Sequence, residues 1–277
     1  MELKTILAGQ TGGIAAITLN RPEKRNAVSY ELMDDLARAL DWAAACDAQV
    51  LIITGAGKAF CAGMDLENLK ALIGRPARDS IRDSEAMARL FRSIYDFPLP
   101  TIAAVNGAAI AGGAGVATLC DFTLASEESS FGYTEVRIGF VPAIVSTFLI
   151  RQIGEKQARD LLLTGRVISP QEALRFGLVN EIVPPARLMD RAYQLAAQLM
   201  ANSPASLRAT KALLSGYGKD QLDKDVREAI SENAGIRQTP DFREGITAFL
   251  EKRRPRWQNK SAALAATPAS NPKKEEE

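Results

Sequence analysis

Pro100-Thr-Ile-Ala-Ala-Val-Asn-Gly-Ala-Ala-Ile-Ala-Gly-Gly113 is the stretch from which the rest of the chain becomes readable. Pro100 to Val105 is a short continuous apolar run, the pattern of a strand covered on both faces. Asn106-Gly107 ends it, and the small residues near 112–119 predict a helix. The order recurs on either side. Val50-Leu-Ile-Ile-Thr54 is a second buried strand, closed by Gly55-Ala-Gly57, and Phe122 to Ala125 is a third. Upstream, Gly13 to Leu19 reads as a strand broken by Asn20-Arg-Pro-Glu-Lys24. Ser29 then offers an N-cap for a helix with apolar Leu32, Leu36, Leu40 and Ala43 at helical spacing. Strand, helix and strand in alternation predict an α/β architecture with parallel pairing.

Residues 67–97 form a charged, helix-prone excursion containing Arg75-Pro76. From Pro170 onward the pattern is helical, over 170–176, 185–202, 204–215, 219–235 and 240–252. Gln258 to Glu277 combine Ala, Ser and Pro with a Lys-Lys-Glu-Glu-Glu end, a composition expected to stay disordered. The expected division is a core over 1–195, a helical region over 196–257 and a tail over 258–277.

The chain has 277 residues, of which 47% are hydrophobic, enough for one large core. Lys plus Arg number 34 and Asp plus Glu 33, so no basic excess points to nucleic acid or an anionic membrane. Histidine is absent. That removes Ser-His and Cys-His nucleophile schemes and histidine ligation of zinc or haem. Cys46, Cys61 and Cys120 are scattered, as in a reducing compartment. With no signal-peptide pattern and no apolar run of the ~18 residues a span needs, a soluble cytoplasmic protein is expected.

Neither glycine-rich turn is a nucleotide loop. Gly55-Ala-Gly57-Lys58 has Ala59 at the hydroxyl position of a Walker loop, and Gly113-Ala-Gly115 is followed by Thr118 where a dinucleotide fingerprint needs glycine. Phe60-Cys-Ala-Gly-Met-Asp-Leu66 and Asn106 to Gly113 do share a property: each follows a buried strand with small residues whose backbone N–H groups can face a ligand. Two such donors converging on one carbonyl oxygen make an oxyanion hole, although turns of this kind also serve tight packing alone. Glu135 lies in the mostly apolar Ser130-Phe-Gly-Tyr-Thr-Glu-Val-Arg-Ile-Gly-Phe-Val-Pro142. Buried there, it would be pushed toward a pKa useful for proton transfer; composition alone favours an ion pair with Arg137 or a solvated loop acid. Asp65 and Asp121 read as turn caps, and Cys61 as a small buried side chain.

Taken in order, Asn26-Ala-Val, Gly55-x-Gly-Lys-Ala-Phe-Cys-Ala-Gly-Met-Asp-Leu66, Pro100 to Gly107, Gly112-Gly113, Cys120-Asp121 and Phe131-Gly-x-x-Glu135 resemble the crotonase superfamily of enoyl-CoA hydratases and isomerases. Leu163-Thr-Gly-x-x-Ile-Ser-x-x-Glu172-Ala173, Gly177-Leu-Val-Asn180 and Glu244-Gly-Ile-x-Ala-Phe-x-Glu-Lys-Arg253 continue the series, so the likeness spans residues from about 5 to 257. The resemblance implies a spiral of ββα turns with a C-terminal helical region that builds a trimer or a dimer of trimers. It implies an acyl-CoA thioester as substrate and partner, with no metal and no cofactor beyond the CoA of the substrate. It matches the oxyanion-hole amides to Met64 and Gly112 and the proton-transfer residue to Glu135. It sets Arg25 and Ala27 near the adenine-nucleotide end, Ala62, Asp65 and Gly115 along the substrate, and Phe249 and Lys252 where a neighbouring subunit helps hold the CoA.

One position departs from the pattern. Hydratases of the family hold a water between two glutamates; the second matches Glu135, but the first falls on Gly115, which cannot transfer a proton. Residues 130–143 resemble the methylglutaconyl-CoA hydratase-like branch. The implied activity is therefore hydration of a short or branched 2-enoyl-CoA, with Δ3,Δ2-enoyl-CoA isomerisation by Glu135 as single base, or acyl-CoA binding without catalysis, as the alternatives. Residues 67–97 and 140–150 are expected to line the acyl end.

Overall fold

The computed structural model describes residues 3–257. An antiparallel pair, β1 (Ile6–Thr11) and β2 (Ile14–Leu19), opens the chain and leads into α1 (Tyr30–Ala45), whose first turn is closed by Ser29 Oγ accepting from Leu32 N at 3.1 Å. Three strand–turn–strand units follow: β3 (Val50–Gly55) with β4 (Ala59–Cys61), β5 (Thr101–Val105) with β6 (Ala108–Ile110), and β7 (Phe122–Ser126) with β8 (Ser130–Gly132). The first strands of the units join β2 in one parallel run, with β1 on one edge and β10 (Glu181–Val183) on the other. The second strands stack in parallel in a smaller sheet, which β9 (Val167–Ile168) closes antiparallel to β8. Each unit thus climbs one rung in both sheets at once, as the expected ββα spiral requires.

The units feed helices outward. After β4 come α2 (Leu66–Ala71) and α3 (Ala77–Tyr95), after β6 comes α4 (Gly112–Thr118), and after β8 come a short 3-10 turn at Glu135–Ile138 and α5 (Ala143–Thr164). The large sheet is apolar on both faces, which is why its strands read as unbroken apolar runs. Val50, Ile52, Ile102 and Leu124 face α7 (Leu188–Met200) through Leu188, Ala192 and Ala196. Alternate residues Leu51, Ile53, Ala103 and Val105 face the main core with α1 and α3. α6 (Pro170–Phe176), α8 (Pro204–Gly216), α9 (Lys219–Gly235) and α10 (Pro240–Leu250) complete the chain.

The helices expected at 170–176 and 219–235 stand at those bounds, and those at 185–202, 204–215 and 240–252 within a few residues. Several elements depart from expectation. β1 precedes the first expected strand, α5 is absent from the expected helical pattern, and β10 interrupts the helical segment expected after Pro170. The expected division at residue 195 falls inside α7, while α9 packs on α3 and α5 within the main body. The expected tail lies outside the described residues. No helix among the described residues is long and apolar enough to cross a membrane.

Candidate active site

The site forms where the small sheet ends. Asn26 anchors its floor. Fully buried, it accepts from Arg21 N at 2.8 Å through Oδ1 and donates through Nδ2 to Ala56 O and Ala59 O at 2.9 and 2.8 Å. The loop it holds pairs with the segment after β4: Val28 N donates to Gly63 O at 2.7 Å and Asp65 N to Val28 O at 2.9 Å. In this parallel bridge both bonds run from Val28 to the neighbours of Met64, so the Met64 amide points to the other side. No acceptor among the described residues takes it.

Gly112 is brought beside it by close packing. Gly113 lies so near Cys61 that a Cβ there would collide with the Cys61 carbonyl oxygen, so α4 starts directly against β4. Ala111, at φ 51° and ψ −123°, makes the turn into α4, a conformation that costs an L-residue of order 1–3 kcal/mol and persists only when its surroundings impose it. Here Ala111 N donates to Gly132 O at 2.7 Å. The Gly112 amide, like that of Met64, has no acceptor among the described residues, and both residues line one cavity of about 160 Å³.

Glu135 lines the same cavity. It opens the 3-10 turn after β8, which α10 clamps from outside: a Cβ on Gly245 would strike the carbonyl of Ile138, and the rings of Phe140 and Phe242 stand 5.4 Å apart. Glu135 is 8% exposed, and its Oε2 is buried with no hydrogen-bond partner among the described residues. Burial pushes its carboxyl up to about 7, opposed by its own backbone amide. The ion pair with Arg137 that composition favours is absent among the described residues; the apolar walls supplied by Ile138, Phe140 and Val141 exclude the solvent such a loop acid would need.

The other sequence-derived residues divide. Ala62 lines the cavity, and Phe249, half-exposed, borders it in this same chain. Ala27 is buried in the loop that Asn26 holds, and exposed Arg25, at φ 50°, offers its carbonyl to Ala62 N at 3.0 Å. Asp65 caps α2 through Glu67 N at 2.9 Å and pairs with Arg21 at 2.9 Å. Burial pushes its carboxyl up, but these donors outweigh burial and hold it below the usual range. Asp121 is likewise structural, bonded to Thr101 and to Lys211 Nζ at 2.6 Å. Lys252, at φ 54°, ends α10 away from the cavity wall. Burial raises the Cys61 thiol to about 11, which makes it inert as a nucleophile.

At Gly115 the structure supplies what the sequence could not. The ring of Phe91 on α3 lies against it, and no acid stands there. Leu69, Leu72, Met87 and residues 140–145 line the cavity, as expected of 67–97 and 140–150. Asn233 and Arg237 also line it and were unforeseen; a lone arginine just past the end of an otherwise charged helix carries no local signal of burial.

The comparisons agree with this architecture. The family model described as enoyl-CoA hydratase/isomerase matches residues 9–260. A Thermus thermophilus protein, named provisionally as an enoyl-CoA hydratase, is 47% identical over 90% of this chain and 98% of its own length. The short-chain-enoyl-CoA hydratase of Clostridium acetobutylicum is 32% identical over 92% of this chain and 97% of its own. Among solved structures, an enoyl-CoA hydratase/isomerase of Xanthobacter autotrophicus Py2 superposes with a TM-score of 0.84 at 29% identity, covering 95% of this chain and 97% of that one. With a match over nearly its whole length and relatives this similar, the chain belongs to the enoyl-CoA hydratase/isomerase family.

Proposed function

We propose that the protein hydrates a short or branched 2-enoyl-CoA thioester. The observation that carries the reading is the coexistence, in one apolar cavity, of two amides without acceptors and a buried carboxylate oxygen without a partner among the described residues. The amides of Met64 and Gly112 receive the thioester carbonyl oxygen and stabilise the enolate that forms as C3 is attacked; one such donor is worth ~3–4 kcal/mol in the transition state. Ionised Glu135 accepts a proton from water as its oxygen bonds to C3, then returns that proton to C2. One water is added across the double bond and Glu135 is regenerated. Water and the thioester suffice, so no cofactor or metal is called for.

The CoA lies along the loop holding Arg25 and Ala27, past Ala62 and Asp65, with Phe249 and Lys252 near the opening. A homo-oligomer, trimeric or a dimer of trimers, is supported by α8, which has no buried residue and exposes Leu213 and Leu214. The free thiols fit a cytoplasmic setting.

Gly115 favours one further reading. A single carboxylate can move a proton between the α and γ carbons, as a Δ3,Δ2-enoyl-CoA isomerase does. Mass spectrometry of short straight-chain and branched enoyl-CoA esters incubated in deuterated water separates the two. Gain of one water is expected; deuterium uptake or a shifted double bond without water would make the protein an isomerase, and unchanged esters an acyl-CoA-binding protein.

A further inference from the structure

The Gly112 amide and Glu135 belong to different elements, α4 and the 3-10 turn after β8. Two hydrogen bonds among the described residues join the segments that carry them. One is the backbone bond from Ala111 N to Gly132 O at 2.7 Å. The other joins the side-chain hydroxyls of Tyr133 and Thr118 at 3.1 Å. Thr118 has a single hydroxyl proton, and it goes to Ala114 O at 2.9 Å. Tyr133 is therefore the donor to Thr118 Oγ1.

α4 reads Gly-Gly-Ala-Gly-Val-Ala-Thr, so Thr118 is its one side chain with a hydrogen-bonding group. The carbonyls at its end are tied elsewhere: Thr118 O accepts from Gln152 Nε2 on α5, and Ala117 O from Thr123 Oγ1 on β7 at 3.1 Å. Those bonds hold α4 to the core, whereas the Tyr133 bond holds it to the segment that leads into Glu135. Tyr133 stands between β8 and the turn, two residues before Glu135. Two residues span at most about 7 Å of chain, so a shift of the ring passes to the carboxylate.

Tyr133 is fully buried and Thr118 nearly so, and neither lines the cavity. Burial pushes the phenol well above its ordinary value of 10; the Thr118 bond opposes that and the Glu135 charge adds to it. Tyr133 therefore stays a neutral donor and does not touch a substrate. Any buried phenol needs a partner. Here the partner lies on the helix whose N-terminus presents the Gly112 amide.

We propose that Tyr133 and Thr118 are positioning residues, which set the separation and angle between the Glu135 carboxylate and the Gly112 amide. A thioester carbonyl held at the amides then has its C2 and C3 within reach of Glu135. The inference rests on the function proposed above for the amides and the base, and it holds for hydration and isomerisation alike.

Tyr133→Phe keeps the ring and deletes the donor. It should lower kcat about tenfold or more, with KM within about threefold, on whichever short straight-chain or branched enoyl-CoA ester the parent turns over fastest. Thr118→Val cuts the same bond from the other side, and the double variant should be no more than about twofold slower than the slower single one, since one interaction is lost once. Thr118→Ser keeps a hydroxyl and should stay within about threefold of the parent. A role in packing alone would lower stability and leave kcat of the folded protein unchanged; that result overturns the proposal, as do additive losses in the double variant or a slow Thr118→Ser.

A second readout needs no turnover. Acetoacetyl-CoA loses a proton from C2 to give an enolate that absorbs in the near ultraviolet; in the site as proposed the proton passes to Glu135 and the negative oxygen lies at the two amides. The unmodified protein should produce that band on titration. Tyr133→Phe should weaken enolate formation about tenfold or more, while butyryl-CoA, which binds without proton transfer, moves by less than about threefold. No enolate with the unmodified protein overturns the proposal, because no paired base and oxyanion hole is then there to position. An enolate that responds to Tyr133→Phe, with no enoyl-CoA ester hydrated or isomerised, refutes the catalytic reading and leaves the positioning pair standing.

Discussion

Phe91 takes the space that any side chain at position 115 would need: a Cβ on Gly115 would lie 2.8 Å from Phe91 Cζ. The ring is fully packed, at 2% exposure, and lines the cavity that Glu135 also lines. Glycine at 115 and phenylalanine at 91 are therefore one structural choice, which gives the cavity an aromatic wall at the position that the resemblance matches to the first acid of two-glutamate hydratases.

Gly115→Ala should accordingly destabilise the protein by about 1–3 kcal/mol in denaturant titration, the usual cost of overpacking, despite alanine's better helix propensity. Phe91→Leu in the same chain should recover most of that loss. A Gly115→Ala variant as stable as the parent would show that the ring moves aside freely.

Glu135→Gln should lower kcat by about 10²–10⁴-fold, the contribution of a positioned proton-transfer group. In the unmodified protein kcat/KM should rise with pH through about 7 and then level, because water attack needs the ionised carboxyl. A pH profile flat from 5.5 to 8.5, with turnover surviving the substitution, removes Glu135 from the chemistry.

The same burial makes a stability prediction of opposite sense. The native state favours protonated Glu135, so between the ordinary glutamate value of 4.5 and about 7 the folded chain holds more protons than the unfolded chain. Stability from this group is then complete below 4.5 and lost as pH rises through 7. Glu135→Gln cannot ionise, so it should exceed the parent by up to about 3 kcal/mol at pH 8, with the gain vanishing toward pH 4. Equal stability of the two proteins at both pH values would mean that Glu135 is hydrated in the native state.

The two adjacent glycines that open α4 should respond differently. Gly112→Ala meets open space and should change stability by less than about 1 kcal/mol, whereas Gly113→Ala collides with the Cys61 carbonyl and must displace α4 from β4. Gly113→Ala should therefore lose both stability and kcat, the latter because the Gly112 amide moves with the helix. Full activity in Gly113→Ala would separate the α4 contact from the oxyanion hole.

Gly245→Ala should act on Glu135 from a distance. Its methyl group would meet the Ile138 carbonyl, lifting α10 from the 3-10 turn that begins at Glu135. A loss of about 1–3 kcal/mol in stability is expected, with kcat reduced more than substrate binding. Unchanged kcat in a folded variant would show that the turn holds its shape without α10.

Much of this molecule is legible along the chain because its determinants are local. The runs 50–54, 100–105 and 122–125 read as buried strands since both faces of a parallel sheet are apolar, and Ser29 marks α1 through a bond made within one turn. The ordered motifs around Met64, Gly112 and Glu135, which line one cavity, are legible for the same reason: each needs small or acidic residues at neighbouring positions. β4, β6 and β8 have three residues each, too few for a period to show, and they are held by strands nearly fifty or twenty residues away. Glu135 illustrates the division of labour. Its identity is local, but its burial, its unpaired oxygen and its raised pKa come from α10 and the walls that converge on it. The pairing of Phe91 with Gly115 depends on α3 lying against α4, and the gathering of Arg75, Asp83, Asn233 and Arg237 on α3 and α9 lying side by side. Those contacts join residues from 24 to over 150 positions apart in the chain, and no spacing in one sequence encodes a distance between two helices.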